Sequence, residues 1–338
     1  MSDSPMLREV RVQEAIGMML AHDLTQIIPG QFKGRKFKKG HIIREEDIPG
    51  LLDIGKEHIY VMDLQQGWLH EEEAALRMAK AAAGQGVLLS EPHEGKVSLK
   101  ASGFGLAKIS RPFVEAANAI DGIVFSTIKN DTIVQAGQQL AGTRVVPLVI
   151  EAERIEAVEK LALEEIERQG GVALVEVKPF RKLRVGLITT GSEVFKGRIQ
   201  DKFGPAVRSK VEALGSEVVE QRFAPDESDE IVKHIHAFQQ EGVDLILLTG
   251  GMSVDPDDRT PGAIRKSGAE VVSYGTPMLP GSMLMMAYLD GIPVMGLPGC
   301  VMHDPFTSFD VLLPRICAGE TIVREDITAM GYGGLLGC

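Results

Sequence analysis

The segment Thr249-Gly250-Gly251-Met252-Ser253-Val254-Asp255-Pro256-Asp257-Asp258 places two kinds of chemistry in one short stretch. Consecutive glycines let backbone N–H groups line a concavity suited to an anionic oxygen, and Ser253 adds a hydroxyl donor. Asp255, Asp257 and Asp258 could hold a hydrated Mg²⁺ or accept from the N–H-rich edge of a heterocycle. Their plainer use is to cap a helix around Ala263 to Lys266. Thr189-Thr190-Gly191-Ser192-Glu193 is a second candidate: Gly191 permits a sharp turn, and the hydroxyls and Glu193 supply acceptors. Gly296-Leu297-Pro298-Gly299-Cys300 is a third, with a further Pro-Gly loop upstream at Met278-Leu279-Pro280-Gly281-Ser282. Pro-Gly turns are common punctuation, so either loop alone means little.

The elements that must position these loops alternate. Leu183 to Thr190, Glu217 to Phe223, Asp244 to Thr249 and Ile292 to Leu297 read as strands. Ala206 to Leu214 reads as a helix stopped by Gly215. Asp226-Glu227-Ser228 offers caps for a helix running to about Glu241, and His303 to Ala318 reads as another. This alternation predicts βαβ units, a mostly parallel sheet and helices on both faces, an α/β domain over 179–320. In such sheets ligands bind beyond the carboxyl ends of the strands, so the three loops are expected to converge on one crevice.

The preceding residues are predicted to form an N-terminal α+β accessory region (1–95) and a small β-rich unit with a linker helix (96–178); 321–338 is a C-terminal tail. Val12 to Leu24 has helical spacing, His58 to Met62 reads as a strand, and Glu71 to Ala83 is Ala-rich and helical. Ile123 to Ile128 and Thr132 to Ala136 are short β-like runs. Residues 151–168 predict an amphipathic helix with a heavily charged outer face.

Composition narrows the classes. With 338 residues, 44% hydrophobic and 25% charged, the chain has material for two or three globular cores. A net charge of −11, from 47 acids against 36 bases, is a poor basis for nucleic-acid binding. No apolar run approaches the roughly 18 residues that span a bilayer, and the first residues lack a signal-peptide pattern. Three cysteines, Cys300, Cys317 and Cys338, without Cys-x-x-Cys spacing fit a reduced, cytoplasmic chain. Cys300 and His303 resemble half of a metal site, without a second ligand pair. Six methionines between residues 278 and 302 are read as core filling. The basic run Lys33-Gly34-Arg35-Lys36-Phe37-Lys38-Lys39 is read as a solvated face.

In order, these loops resemble the molybdopterin-binding domain shared by molybdopterin molybdotransferases and adenylyltransferases. Thr190-Gly191-Ser192-Glu193 is similar to the family's Thr-Gly-Asp/Asn-Glu loop, and Ile199-Gln200-Asp201 stands where the family has Asp-Ser-Asn. Gly250-Gly251-Met252-Ser253 with Asp258 resembles its Gly-Gly-x-Ser/Gly motif with a downstream Asp, followed here by Thr260-Pro261. Pro280-Gly281 and Leu297-Pro298-Gly299 resemble the last two loops of the molybdotransferase branch. The resemblance covers roughly residues 180–320. Ser192 replaces an acid or amide, Lys202-Phe203 replace Ser-Asn, and Cys300 replaces an Asn after Leu-Pro-Gly. Leu279 and Ser282 flank Pro280-Gly281 where molybdotransferases usually carry lysines, which could stabilise molybdate or phosphate charge.

The resemblance implies a three-layer α/β/α domain that binds molybdopterin, or its adenylylated form, in molybdenum cofactor biosynthesis. In the catalytic version it inserts molybdate and releases AMP with Mg²⁺ assistance. Glu193, Asp201 and Asp258 would be the catalytic acids, with Asp258, Asp255 and Glu193 on the metal. Thr190, Gly191, Ser192, Gly250, Gly251, Ser253, Pro280, Gly281, Ser282, Pro298, Gly299 and Cys300 would contact the cofactor, the glycine pair holding its phosphate. The Cys300 sulfur either faces the ligand or is a buried thiol. Two other functions stay open: a carrier or sensor of the cofactor without turnover, and a nucleotide pyrophosphatase. The expected partners are molybdopterin, molybdate, and a molybdoenzyme or other cofactor-assembly proteins. A homodimer is expected, with neither nucleic acid nor membrane as partner.

Overall fold

Strands whose side chains are apolar on both faces must be covered on both faces, and residues 183–317 fold accordingly. In this computed structural model the described residues are 7–28, 32–62, 67–146, 148–253, 255 and 258–337. The C-terminal domain is built on β1 (Arg184–Thr190), β2 (Glu217–Ala224), β3 (Leu245–Thr249), β4 (Glu270–Tyr274), β5 (Met285–Leu289) and β6 (Ile292–Leu297). They form one sheet in the order β2-β1-β3-β6-β5-β4. The first four in that order are parallel, β5 runs antiparallel to them, and the edge strand β4 pairs antiparallel with β5.

Alternation along the strands assigns the two faces. Val185, Leu187, Leu245, Leu247 and Met295 pack with Val207 and Val211 of α2 (Phe203–Glu212) and with Phe309 and Leu312 of α5 (Ser308–Cys317). Here α1 is the short helix Ser192–Phe195 that precedes α2. Ile188, Ile246, Leu248 and Val294 pack on the other face, against Ile231, Ile235 and Phe238 of α3 (Ser228–Gln240) and Ala263 and Ile264 of α4 (Thr260–Lys266). The result is the expected α/β/α sandwich. Gly186 lets α3 approach closely: a Cβ there would lie 2.6 Å from the Phe238 ring. Four of the methionines, Met278, Met285, Met286 and Met295, are buried, as core filling requires.

Residues Ala74 to Val177 share a second core. A four-stranded antiparallel sheet (Ile123–Thr127, Gln139–Val145, Lys96–Ala101, Val87–Leu89, in that order) packs on the helices Glu71–Ala82 and Arg111–Asn118, and the helix Ala152–Arg168 packs on those two. This core draws on residues from both sides of position 95. A smaller core at Val10 to Val61 surrounds a three-stranded sheet of Leu7–Arg11, His58–Met62 and Met19–Leu20.

Three local expectations are corrected. Val12 to Leu24 is not a helix: a single 3₁₀ turn, Val12–Glu14, gives way to strand pairing, because Gly17 adopts φ +82° and reverses the chain. Val12, Ala15, Leu20 and Leu24 still reach one core, so helical spacing was satisfied without a helix. The helix expected from His303 starts only at Ser308. Thr307 and Asp310 close a capping box there, and Gly299–Met302 is a 3₁₀ turn. The helix Arg111–Asn118 has no counterpart in the sequence reading; it is two turns long and announces itself only by the Ser110 cap and Pro112.

Glu320 ties the second core to the sandwich. Its carboxylate accepts from Lys108 Nζ at 2.8 Å and Lys178 Nζ at 3.1 Å, both from the β-rich unit, and from Arg315 Nε of α5 at 2.7 Å. Burial alone would raise its pKa, but Lys108 and Arg315 hold it at about 2. Its stabilisation is therefore present above the ordinary carboxylate range and lost as pH falls toward 2. Glu320→Gln is expected to cost on the order of 3 kcal/mol at neutral pH, the free energy that corresponds to holding a carboxyl at about 2 instead of its ordinary value. In denaturant melts the gap to the wild-type protein should narrow as pH drops from about 4.5 toward 2; a constant gap would remove the charge from the account.

Candidate functional site

Parallel strands β1 and β3 end side by side, and their following loops open a cleft of about 700 Å³ at the carboxyl edge of the sheet. It is lined by Thr190, Gly191 and Glu193 from the first loop and by Gly250, Gly251 and Asp258 from the second. Gln200, Asp201 and Lys202 come from the segment leading into α2, Asp226 follows β2, and Met302 and His303 follow β6.

The glycines are required by geometry. Gly250 has φ +86°, and a Cβ on it would sit 2.2 Å from the Thr190 carbonyl oxygen. Gly251 has φ +55°, and its Cβ would meet Thr260 Oγ1 at 3.0 Å. Hydroxyls lock the two strand ends together. Thr260 Oγ1 donates to the Gly250 carbonyl at 2.8 Å and lies 3.1 Å from Thr190 Oγ1. Below them, Thr249 Oγ1 donates to Thr189 Oγ1 at 3.1 Å. The Tyr274 hydroxyl donates to the carbonyls of Met252 (3.3 Å) and Ser253 (3.2 Å) from the other side of the loop. Burial, and then the Asp258 charge, raise the Tyr274 pKa, keeping that hydroxyl a donor.

The acids divide by what already satisfies them. Asp201 is committed to its own helix: it accepts from the Phe203 and Gly204 N–H groups at 2.9–3.1 Å and from Gln221 Nε2 at 2.6 Å. Gln221 also donates to Thr189 Oγ1, so Asp201 positions the strand end rather than offering free acceptors. Asp226 accepts from the Ser192 N–H at 2.8 Å. Asp258 differs, because its Oδ2 is buried and has no hydrogen-bond partner. A buried acceptor left unpaired costs about 1–3 kcal/mol, so it is a place where a ligand donor would be gained. Glu193 is exposed at the rim and makes no side-chain hydrogen bond among the described residues.

Several expected contacts lie elsewhere. Ser192 offers its N–H to Asp226, and its side chain is not part of the lining. Ser253 and Asp255 are exposed outside the cleft; Asp257 and Cys338 lie outside the described residues. Neither Asp255 nor Asp258 caps α4, which starts without a side-chain cap. Pro280, Gly281 and Ser282 do not reach the cleft: the Gly281 carbonyl accepts from Ser308 Oγ (2.7 Å) and Thr276 Oγ1 (2.8 Å), anchoring the start of α5. Pro298, Gly299 and half-buried Cys300 do not line it either; the residues just beyond them, Met302 and His303, do. The expected Mg²⁺ ligands also fail to converge. Asp255 does not line the cleft with Glu193 and Asp258, and among the described residues no group of three His, Cys, Asp or Glu side chains could hold a metal ion. Sequence reasoning passed over Asp226, read as a helix cap, and His303, discounted as half of a metal pair. The strand-end position of Asp226 was the signal for it; nothing local signalled His303.

Two substitutions separate architecture from ligand contact. Gly250→Ala should lower stability by about 2 kcal/mol or more, through strain at positive φ and the close carbonyl. Asp258→Asn should leave the melting temperature unchanged or raised, since it removes an unpaired buried charge. A fall of several degrees in Asp258→Asn would show that Asp258 has a structural partner after all.

Comparison with known proteins finds relatives over the same part of the chain. Residues 186–317 match a family model described as "Probable molybdopterin binding domain", and residues 9–63 match one described only as a domain of unknown function. The chain is 28% identical over 167 residues to a molybdopterin molybdenumtransferase of Synechococcus elongatus, covering 46% of this chain and 41% of that protein. It is 32% identical over 148 residues to the Staphylococcus aureus (strain COL) protein of the same name, covering 41% and 34%. The matched segments thus span well under half of those relatives. Among solved structures, the molybdopterin biosynthesis enzyme MoaB of Thermus thermophilus aligns at 26% identity and a TM-score of 0.34, covering 41% of this chain and 98% of that one. This chain is thus similar to a molybdopterin-binding domain over residues 186–317 and, over part of its length, to molybdopterin molybdenumtransferases.

Proposed function

We propose that this chain binds molybdopterin, free or adenylylated, as a step in molybdenum cofactor biosynthesis, and that it does so in the β1–β3 cleft. The unpaired Oδ2 of Asp258 beside the Gly250-Gly251 loop is the observation that carries this reading. Molybdopterin joins an N–H-rich pterin to a terminal phosphate, so its site needs a carboxylate acceptor next to a nest of backbone N–H groups. Asp258 accepts from the pterin edge, the glycine loop cradles the phosphate, and Glu193 closes the rim. Asp201 and Asp226 hold the loops in place and are positioning residues.

A second reading, insertion of molybdate into adenylylated molybdopterin with release of AMP, is favoured by Lys202 and His303. They are the cationic or potentially cationic side chains of the cleft, standing where the charge of molybdate or phosphate would need an opposite charge. No step in either reading is assigned to Mg²⁺, because among the described residues the acids do not form a site for it.

Titration calorimetry with adenylylated molybdopterin should give saturable binding that Asp258→Asn weakens at least tenfold. Equal binding by the variant would refute the site. AMP release that requires molybdate would establish insertion; tight binding without AMP release would make the chain a carrier.

A further inference from the structure

A second cleft, of about 520 Å³, lies between the N-terminal core and the β-rich unit, lined in part by Asp23, Arg35, Lys38, Lys39, Glu71 and Arg144. Two pairs take up four of its charged side chains. Asp23 takes the Arg35 guanidinium at 2.8 Å and the Lys39 backbone N–H at 2.7 Å, and the half-buried Lys39 ammonium is bonded to the buried Glu71 carboxylate. Arg144 is not among them. It projects from the strand Gln139–Val145, next to fully buried Thr143, and its Nε is sealed from solvent without an acceptor.

Among the described residues Arg144 makes no ion pair, although Glu72 and Glu94 line the same cleft. Its influence on Lys39 is repulsive, so two cations crowd one wall of a cavity. A further unpaired donor immediately precedes the lining residues Glu71 and Glu72 in the chain. His70, at 7% exposure, accepts the Glu72 N–H on Nδ1, which puts the proton of the neutral ring on Nε2. That Nε2 also has no partner. A guanidinium fork is built for planar or tetrahedral oxyanions, and unpaired buried donors are costly unless such a partner is supplied.

We propose that this cleft binds the phosphate group of a small organic molecule, with Arg144 as its main ligand and Lys39 and Lys38 supplying charge. The cavity is larger than a bare oxyanion needs, and Glu72 and Glu94 offer acceptors to the organic part. Lys38 and Lys39 of the basic run, which by sequence alone reads as a solvated face, then belong to a binding site.

The test is calorimetric titration of the full chain with inorganic phosphate and with ribose 5-phosphate, beside Arg144→Gln, Lys38→Gln and Asp258→Asn. Saturable millimolar or tighter binding is expected, with ribose 5-phosphate tighter than phosphate. Arg144→Gln should weaken it at least tenfold, Lys38→Gln severalfold, and Asp258→Asn not at all. Lys38 is exposed, so that variant decides the matter should Arg144→Gln fail to fold. Phosphate bound as tightly as ribose 5-phosphate would overturn the organic ligand. Absence of saturable binding, or binding unaffected by both basic-residue changes, would overturn the site. Loss in Asp258→Asn alone would move the anion to the β1–β3 cleft.

Discussion

The approach of Gly250 to the Thr190 carbonyl is the contact on which the rest of the C-terminal domain depends. No side chain fits between them, so the loops after β1 and β3 leave the sheet in contact and splay only beyond it. The hydroxyls of Thr190 and Thr260 then bind the two loops to each other and to the start of α4. This places backbone N–H groups of the glycine loop and the Asp258 carboxylate on one wall, with Glu193 at the rim. Three-layer packing makes that placement rigid. Each central strand sends alternate side chains to opposite helix layers, so neither strand can shift without disturbing both cores.

What the two clefts lack distinguishes them. In the β1–β3 cleft the unsatisfied group is an acceptor, Asp258 Oδ2; in the second cleft it is a donor, Arg144 Nε, and a further unpaired donor, His70 Nε2, precedes the lining residues Glu71 and Glu72. Folding leaves few buried polar atoms without partners. These three therefore mark where the chain gives up stability, and the complementary ligand classes follow from their chemistry.

Much of the sandwich was legible because its signal is local and redundant. Leu245 to Leu248 are apolar on both faces, Gly250-Gly251 follows at once, and Gly215 and Gly242 end the helices where the periodicity stops. The site was half legible for the same reason: Thr190, Gly191, Glu193, Gly250, Gly251 and Asp258 sit on strand-end loops, where topology alone brings them together. The Pro280-Gly281 loop was misplaced because a Pro-Gly turn looks alike whether it faces a ligand or, as here, the first turn of α5. Asp201 matched a motif position, yet nothing in the sequence reveals that its lone pairs are taken by the Phe203 and Gly204 amides. In the N-terminal third, Val12 to Leu24 carried helical spacing, but strand pairing with His58–Met62 decided the backbone. A 3.6-residue apolar period records which residues share a core, not the path between them.

The central claim is that the strand-end loops of β1 and β3 are the ligand-facing surface of this domain. Backbone hydrogen–deuterium exchange of the full chain, with and without adenylylated molybdopterin, tests it most directly. The account predicts slowed exchange at residues 190–194 and 249–253, with 275–283 unchanged. Protection centred on 275–283, or none in either loop under conditions where binding is measured, would contradict it.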